Sequence, residues 1–457
     1  MFIFDNTYDT ICAICTPGGV GAIAVIRVSG RDAFSICNRI FDCKLPWKSN
    51  RALVRVMRHN DIIDHALAYS FQAPASYTGE DVIEISCHGS AYIQQEILKL
   101  LISNGCRMDT AGEFTQRAFF NEKLDLSQAE AVGDLIAASS AMSHRVAMQQ
   151  MRGGFSKELL ALSGQLLNFV SLVELELDFA EEDVEFADRE QLKHLAVQIS
   201  ATISRLSDSF GAGNAIKNGI HVAIAGQTNV GKSTLLNALL RDDKAIVSDI
   251  HGTTRDVIED AINIDGLMFR FIDTAGIRDT KDAIEKMGIE RSFQKMQQAS
   301  IVLWVVDLTE EFSEWDSKIK NQKSKIILTL NKSDMVSDEE RKRKVALYSR
   351  AHDNFIVISA HSQSDISALE RKLVQTANIP QINDNDVIVT NLRHYQALIR
   401  AQEAIERVID GLDTGITSDF LSQDIRECLS HLNEITGKQI NTEDVLKNIF
   451  NNFCIGK

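Results

Sequence analysis

His221-Val222-Ala223-Ile224-Ala225-Gly226-Gln227-Thr228-Asn229-Val230-Gly231-Lys232-Ser233 is an apolar strand that runs into a GxxxxGK[ST] loop. A helix pattern, Thr234-Leu235-Leu236-Asn237-Ala238-Leu239-Leu240, follows at once. In that strand–loop–helix context the loop reads as a phosphate cradle. Gly226 and Gly231 let the backbone wrap an anion, and the N–H groups from Asn229 through Thr234 point into it. Lys232 is expected to reach the β- and γ-phosphates, and the Ser233 hydroxyl to ligate Mg²⁺. The stretch implies a nucleoside triphosphate and an α/β domain.

Three further strand ends carry polar motifs in the order such a domain needs. Phe269-Arg270-Phe271-Ile272 ends in Asp273-Thr274-Ala275-Gly276. Asp273 can hold Mg²⁺ through water, and Gly276 can offer an N–H to the γ-phosphate. Ile301-Val302-Leu303-Trp304-Val305-Val306-Asp307 reads as a buried parallel strand. Ile326-Ile327-Leu328-Thr329-Leu330 leads into Asn331-Lys332-Ser333-Asp334. A carboxylate at Asp334 can accept from the N1–H and the amino group of guanine. Adenine lacks that donor pair, so the reading selects GTP. Phe355-Ile356-Val357-Ile358 then delivers Ser359-Ala360-His361, whose backbone N–H is expected on the guanine oxygen. Between the first two motifs lies Ser248-Asp249-Ile250-His251-Gly252-Thr253-Thr254-Arg255-Asp256. This is a candidate switch loop, with Thr254 as a second Mg²⁺ ligand. Strand and helix patterns alternate from Gly219 to about Leu369, which implies a mostly parallel sheet with ligands at the strands' carboxyl ends.

One position departs from the Ras-like arrangement. The residue after the DxxG glycine is Ile277, which cannot orient a water molecule as Gln does. Glu285 is within reach in sequence as a water holder or base; by itself it reads rather as a solvated helix residue.

The 457 residues are enough for two to four domains at ~100–200 residues each. No apolar run approaches the ~18–20 residues of a membrane span, and Met1-Phe2-Ile3-Phe4-Asp5 has no basic region of a secretory signal. The eight cysteines are scattered and include one CxxC, Cys12 and Cys15, with no second pair at metal spacing. They read as reduced thiols of a cytoplasmic protein. A net charge of −15 argues against a broad nucleic-acid footprint, although not against RNA held by a local basic face or a basic partner.

Residues 1–120 read as α+β. Ala22-Ile23-Ala24-Val25-Ile26-Arg27-Val28 is a strand with a charge inside it, so Arg27 is expected to meet an anion or a carboxylate. Asp81-Val82-Ile83-Glu84-Ile85 alternates as a half-buried strand. From 121 to 215 the chain reads as helix, opened by a capping box at Ser127-Gln128-Ala129-Glu130 and broken near Gly153-Gly154. The acidic run Glu181-Glu182-Asp183-Val184-Glu185 reads as a solvated face. A linker, 380–386, follows the α/β region of 216–379, and helix resumes to 457, interrupted by Gly411 and Gly415. The helices on either side of 216–379 are expected to pack together, making that region an insertion. By its chemistry alone the C-terminus reads as a buried helix end with a fraying tail.

Taken in order, TPGGVGAIAVIRVSG, SYTGEDVIEISCHG, GEFTQRAFFNEKLDLSQAEAV, GQTNVGKS, GTTRD, DTAGIRD, NKSD and the terminal FCIGK closely resemble the MnmE (TrmE) family of tRNA-modification GTPases, from one end to the other. The resemblance implies a cytoplasmic homodimer with an α+β tetrahydrofolate-binding and dimerisation domain, an all-α domain and an inserted Ras-like G domain. It implies a heterotetramer with MnmG (GidA), a partner that carries FAD. It also implies transfer of a one-carbon unit from a 5-formyl or methylene tetrahydrofolate to carbon 5 of the wobble uridine of tRNA, leaving an aminomethyl or carboxymethylaminomethyl group. The family's folate contacts fall on Arg27, Glu84, Lys123 and Lys457, and its functional cysteine on Cys454. Its potassium ligands fall on Asn229, Ser248, Ile250 and Thr253, and its water-orienting glutamate on Glu285. Departures are few: Thr228 stands where Pro is usual, Ser248 where Thr is common, and His361 completes the guanine loop. Two rivals lack support. An RNA-assembly GTPase needs a basic C-terminal domain, and a folate transferase with a vestigial G domain would not keep Lys232, Ser233, Thr254, Asp273 and Asp334.

Overall fold

The computed structural model describes residues 9–44, 51–58, 61–178, 189–240, 260–272, 299–311, 325–350, 352–380, 382–383, 386–438, 449 and 456. These fall into two compact units. The first comprises 1–136, 148–204 and 396–457, and the second 137–147 and 205–395.

The first unit holds a six-stranded sheet. Its strands are β1 (Ile11–Ile14), β2 (Ile23–Ser29), β3 (Arg51–Arg58), β4 (Asp61–Phe71), β5 (Val82–His88) and β6 (Arg107–Met108), in the order β3-β4-β5-β2-β1-β6. All neighbours are antiparallel except β1 and β6. Alternation decides the faces. Ala24, Ile26 and Val28 of β2, with Ile83, Ile85 and Cys87 of β5, enter one core under α1 (Ala33–Ile40) and α2 (Ala91–Ser103). On the other face Ile11 and Ala13 meet Phe114 and Tyr77. Phe114 belongs to α3 (Glu113–Phe120).

Helices α4 (Leu126–Ala137), α5 (Ala141–Met151), α6 (Gly154–Asp178) and α7 (Arg189–Asp208) follow. The capping box lies two residues earlier than the sequence suggested. Asp125, not Ser127, is the cap: its carboxylate accepts from the Gln128 N–H at 2.9 Å, and the Gln128 side chain accepts from the Asp125 N–H at 3.0 Å. Ser127 lies inside the helix and donates to Asp125. The D-x-x-Q spacing gives the same reciprocal bonding as S-x-x-E, and Asp is an equally good cap. Gly153, at φ +77°, separates α5 from α6 as expected.

Gly411, in contrast, does not interrupt its helix. In the finished numbering of helices, α8 is Phe210–Asn218, α9 Lys232–Leu239, α10 Asp338–Ser349, α11 Gln363–Ala377, α12 Leu392–Thr414 and α13 Ser418–Thr436. Gly411 sits inside α12, where an added Cβ would lie 2.9 Å from the Leu421 side chain. Its smallness serves close packing between α12 and α13, and the break comes at Gly415 (φ +71°). α6 packs along α13. Gln402 of α12 donates to Ser200 of α7 at 2.8 Å.

The second unit is built on a sheet ordered β12-β11-β10-β7-β9-β8, with β7 (Ile220–Gly226), β8 (Asp260–Ile264), β9 (Leu267–Phe271), β10 (Ile301–Asp307), β11 (Lys325–Asn331) and β12 (Phe355–Val357). Every pair is parallel except the β8–β9 hairpin. All seven residues of β10 are buried. Ile301, Leu303 and Val305 enter one apolar cluster, and Val302, Trp304 and Val306 another. A strand covered on both faces has no need for polar alternation, which is why β10 reads as a continuous apolar run. Asp265 (φ +50°) and Gly266 (φ +82°) form the two-residue turn of the β8–β9 hairpin. The core on one face extends beyond the nucleotide motifs to Val146, Ile216, Ile382 and Ile388.

Candidate functional sites

In the second unit the polar motifs converge at the carboxyl ends of β7, β10 and β11. Gly226 closes β7 at φ +147°, and a Cβ there would stand 2.3 Å from the Val305 carbonyl. Asn229 and Gly231 also have positive φ, +63° and +96°. This left-handed backbone turns successive N–H groups toward one point at the start of α9, an anion nest reinforced by the helix terminus. Lys232 opens α9, with Ser233 and Thr234 beside it in the first turn. The Lys232 ammonium donates to the carbonyls of Gly226, at 2.9 Å, and Gln227. Burial pushes its pKa down, since the charged form is disfavoured there.

Asn331 ties this loop to the guanine loop. Its Nδ2 donates to the Val230 carbonyl at 2.9 Å, and its Oδ1 accepts from the Ala360 N–H at 3.0 Å. The Ala360 amide is thus engaged inside the protein. In Ser359-Ala360-His361, the His361 N–H makes only a 3.3 Å contact with Ser359 Oγ, so it is the better placed amide for a base. Ser359 is fixed in turn by Asp365, which accepts its N–H at 2.8 Å. Asp334 is exposed, and a hydrogen bond from Ser359 holds its carboxyl below the usual range. It is therefore an ionised acceptor facing outward, as guanine recognition requires. Lys332 (φ +61°) donates to Asp307 Oδ2 at 2.5 Å. Burial opposes ionisation of Asp307, but Lys332 and Thr309 hold its pKa below the ordinary value. Asp307 was not singled out in the sequence, where it reads only as the polar end of an apolar strand.

Ser248, Asp249, Ile250, His251, Gly252, Thr253, Thr254, Asp273, Thr274, Ala275, Gly276 and Glu285 lie outside the described residues, as do Cys454 and Lys457. No group of three or more metal-ligating side chains occurs among the described residues. Of the expected cation ligands, Asn229 and Ser233 are described; both belong to the phosphate loop and its helix.

The first unit gathers a second set. Arg27 and Glu84 are register partners on β2 and β5. Their side chains pair at 2.8–2.9 Å and are half-buried. The charge inside the strand thus finds its carboxylate. The Arg27 guanidinium carbon lies 5.3 Å from the Tyr77 ring and 5.5 Å from the Phe114 ring, within cation–π range. Lys123 is on a separate loop after α3, and its ammonium donates to the Pro74 carbonyl at 2.9 Å.

The chain's end arrives at the same face. The Gly456 N–H donates to Asp109 Oδ2 at 2.6 Å, and the Cys15 thiol donates to the Gly456 carbonyl at 3.1 Å. Gly456 is buried, and so is held rather than fraying. Cys15 follows Ile11 and Ala13 in alternation and lies in the electrostatic field of Arg27 and Glu84. Asp109 was missed because it belongs to no motif, and Cys15 because its CxxC with Cys12 points to thiol chemistry rather than to a backbone contact. The only available signal was period-two alternation from Ile11 through Cys15.

The comparisons with known proteins agree along the whole chain. The family model for the GTP-binding protein TrmE N-terminus matches residues 10–123, and that for the MnmE helical domain matches residues 126–454. A protein named tRNA modification GTPase MnmE from Bacteroides thetaiotaomicron is 55% identical over 98% of this chain and 99% of its own length. Proteins of the same name from Parabacteroides distasonis and Flavobacterium johnsoniae are 54% and 50% identical, each over 98% of this chain. The second covers 100% of its own length and the third 99%. With two family models end to end and relatives matched over nearly their full length, the chain belongs to the MnmE family.

Proposed function

We propose that this protein is a GTP hydrolase acting in tRNA modification. Its action would install an aminomethyl or carboxymethylaminomethyl group on carbon 5 of the wobble uridine. The observation that carries the nucleotide reading is the Asn331 bridge. It joins the phosphate loop at Val230 to the guanine loop at Ala360, with the Asp334 carboxylate left facing outward. The bridge couples recognition of the base to the cradle for the phosphates.

Lys232 binds the phosphate oxygens, and the N–H groups of 229–234 orient them. Ser233 and Thr254 would hold Mg²⁺. Asn229, Ser248, Ile250 and Thr253 would hold K⁺, whose charge would offset the negative charge that develops on the phosphates. Glu285 would position the attacking water, the role Ile277 cannot fill. Hydrolysis would shift an open–closed equilibrium of the G domains across a homodimer, rather than supply the transferred group. In domain terms we assign 1–120 to folate binding and dimerisation, 121–215 and 380–457 to the helical domain, and 216–379 to the G domain. No helix among the described residues is long and apolar enough to cross a membrane.

The transferred carbon would come from a tetrahydrofolate. Arg27 and Glu84, already paired under two aromatic rings, suit a flat ligand with donors and carboxylates. Lys123 and Lys457 would add charge for the carboxylates. Cys454 would act at the reacting end, with MnmG supplying FAD from its own chain. The test of the nucleotide half is GTP turnover at matched ionic strength in potassium and in sodium chloride. Potassium-specific stimulation that is lost in Asn229→Ala is expected. Equal rates in both salts would refute the potassium role.

A further inference from the structure

The end of this chain is tied to its first strand by one residue. Gly456 presents both its polar backbone groups to side chains far away in sequence. Its N–H goes to Asp109, just beyond β6, and its carbonyl receives the thiol of Cys15, just beyond β1. The glycine is required by space and by backbone: its φ is +88°, and a Cβ would lie 2.4 Å from the Ile14 carbonyl. We propose that Asp109 and Cys15 are positioning residues that clamp the C-terminal tail at Gly456 against the Arg27–Glu84 face. This deepens the folate reading and rests on it for the purpose of the clamp, though not for its existence.

Three observations support the assignment. Asp109 is 8% exposed, and its Oδ1 has no hydrogen-bond partner among the described residues. A buried carboxylate with an unmet oxygen is costly, and among the described residues its strong bond is to Gly456. Cys15 must be protonated to donate, and burial pushes its pKa up despite the nearby Arg27. The clamp also lies where it matters. Cys15 feels both Arg27 and Glu84. Fixing Gly456 therefore holds one point of the tail beside that pair.

The test uses the full-length protein and carboxypeptidase B, which removes a C-terminal lysine, with intact mass as the readout. Lys457 should leave wild type slowly. In Asp109→Ala and in Gly456→Ala it should leave about tenfold faster or more, as expected for loss of a hydrogen bond to a charged group. Cys15→Ser, which keeps an O–H donor, should stay close to wild type, while Cys15→Ala should not. The Gly456 variant leaves the sheet untouched, so it still decides the matter if Asp109→Ala fails to fold. Unchanged release in both variants would overturn the clamp. Affinity for 5-formyl-tetrahydrofolate should fall in the same two variants while GTP turnover is unchanged. Unchanged folate affinity despite faster release would overturn the positioning role. If wild type binds no folate, the folate reading falls, and the release rates still decide the clamp.

Discussion

Asn331→Ala isolates the link between base recognition and phosphate binding. Asn331 is 2% exposed and its side chain makes two hydrogen bonds, to the Val230 carbonyl and from the Ala360 N–H. Truncation leaves both backbone groups buried without partners, at about 1–3 kcal/mol each. The sum is about 4 kcal/mol. At about 2–4 °C per kcal/mol for a unit of this size, the unit's melting temperature should fall by about 8–16 °C. The nucleotide should register the loss too, because the two loops it touches are no longer held to each other. A loss of even 1.4 kcal/mol at the site weakens binding about tenfold. GTP and GDP should weaken by the same factor, since neither contact of Asn331 faces the γ-phosphate position. Thermal unfolding and equilibrium binding of fluorescent GTP and GDP analogues make the measurement. A melting shift below about 2 °C, or selective loss of GTP over GDP, would refute the reasoning.

Two further predictions concern the first unit. Asp125→Ala should destabilise it by about 1 kcal/mol, because it removes the cap of α4, while Ser127→Ala should do so by less; chemical denaturation reads both. Burial pushes the Asp109 carboxyl up to about 6, against Gly456 and Arg107, which pull it down, and with Glu113 adding to the rise. A raised folded pKa means stability is greatest below the unfolded value near 4 and is lost as pH rises toward 6. Asp109→Asn should flatten the stability profile across that window. Glu113 works in the opposite sense further down: Arg107 and Arg117 hold it at about 2 despite burial, so its contribution is lost only as pH falls from about 4.5 toward 2.

The α/β half was legible because its signals are local. A buried parallel strand is an apolar run, a phosphate loop is glycine at fixed spacing, and each motif sits where one strand ends. What the sequence reading lacked there was the antiparallel edge. Asp265-Gly266 between two apolar segments is a strong hairpin signal, yet β8 carries no polar motif at its end, unlike the strand that leads to Asp273. The helical half misled in two places for one reason. Both Ser127 and Gly411 have residue types with two structural uses, and only packing chooses between them. Ser127 can cap or can hydrogen-bond inside a first turn, and Asp125 outcompetes it. Gly411 can break a helix or let another element approach, and Leu421 at that spot selects the second.

The Arg27–Glu84 pair and the Gly456 clamp mark the boundary of what sequence order can reveal. Arg27 announced a need, a charge in an apolar strand, and so its partner was foreseeable as a carboxylate. Nothing announced Asp109, and the CxxC announced Cys15 only as a thiol, not as a partner of the tail. They recognise the backbone N–H and carbonyl of one residue, groups that are the same at every glycine, so no side-chain pattern at the tail points back to them. They lie 347 and 441 residues from Gly456, beyond the reach of any periodicity. The family resemblance marked Cys454 and Lys457 as functional without saying what holds them. The backbone of the residue between them and the sheet supplies the answer: it is gripped at both polar groups, in a conformation open only to glycine. On the proposed folate reading, holding the tail through its backbone would leave the Cys454 thiol and the Lys457 ammonium for chemistry.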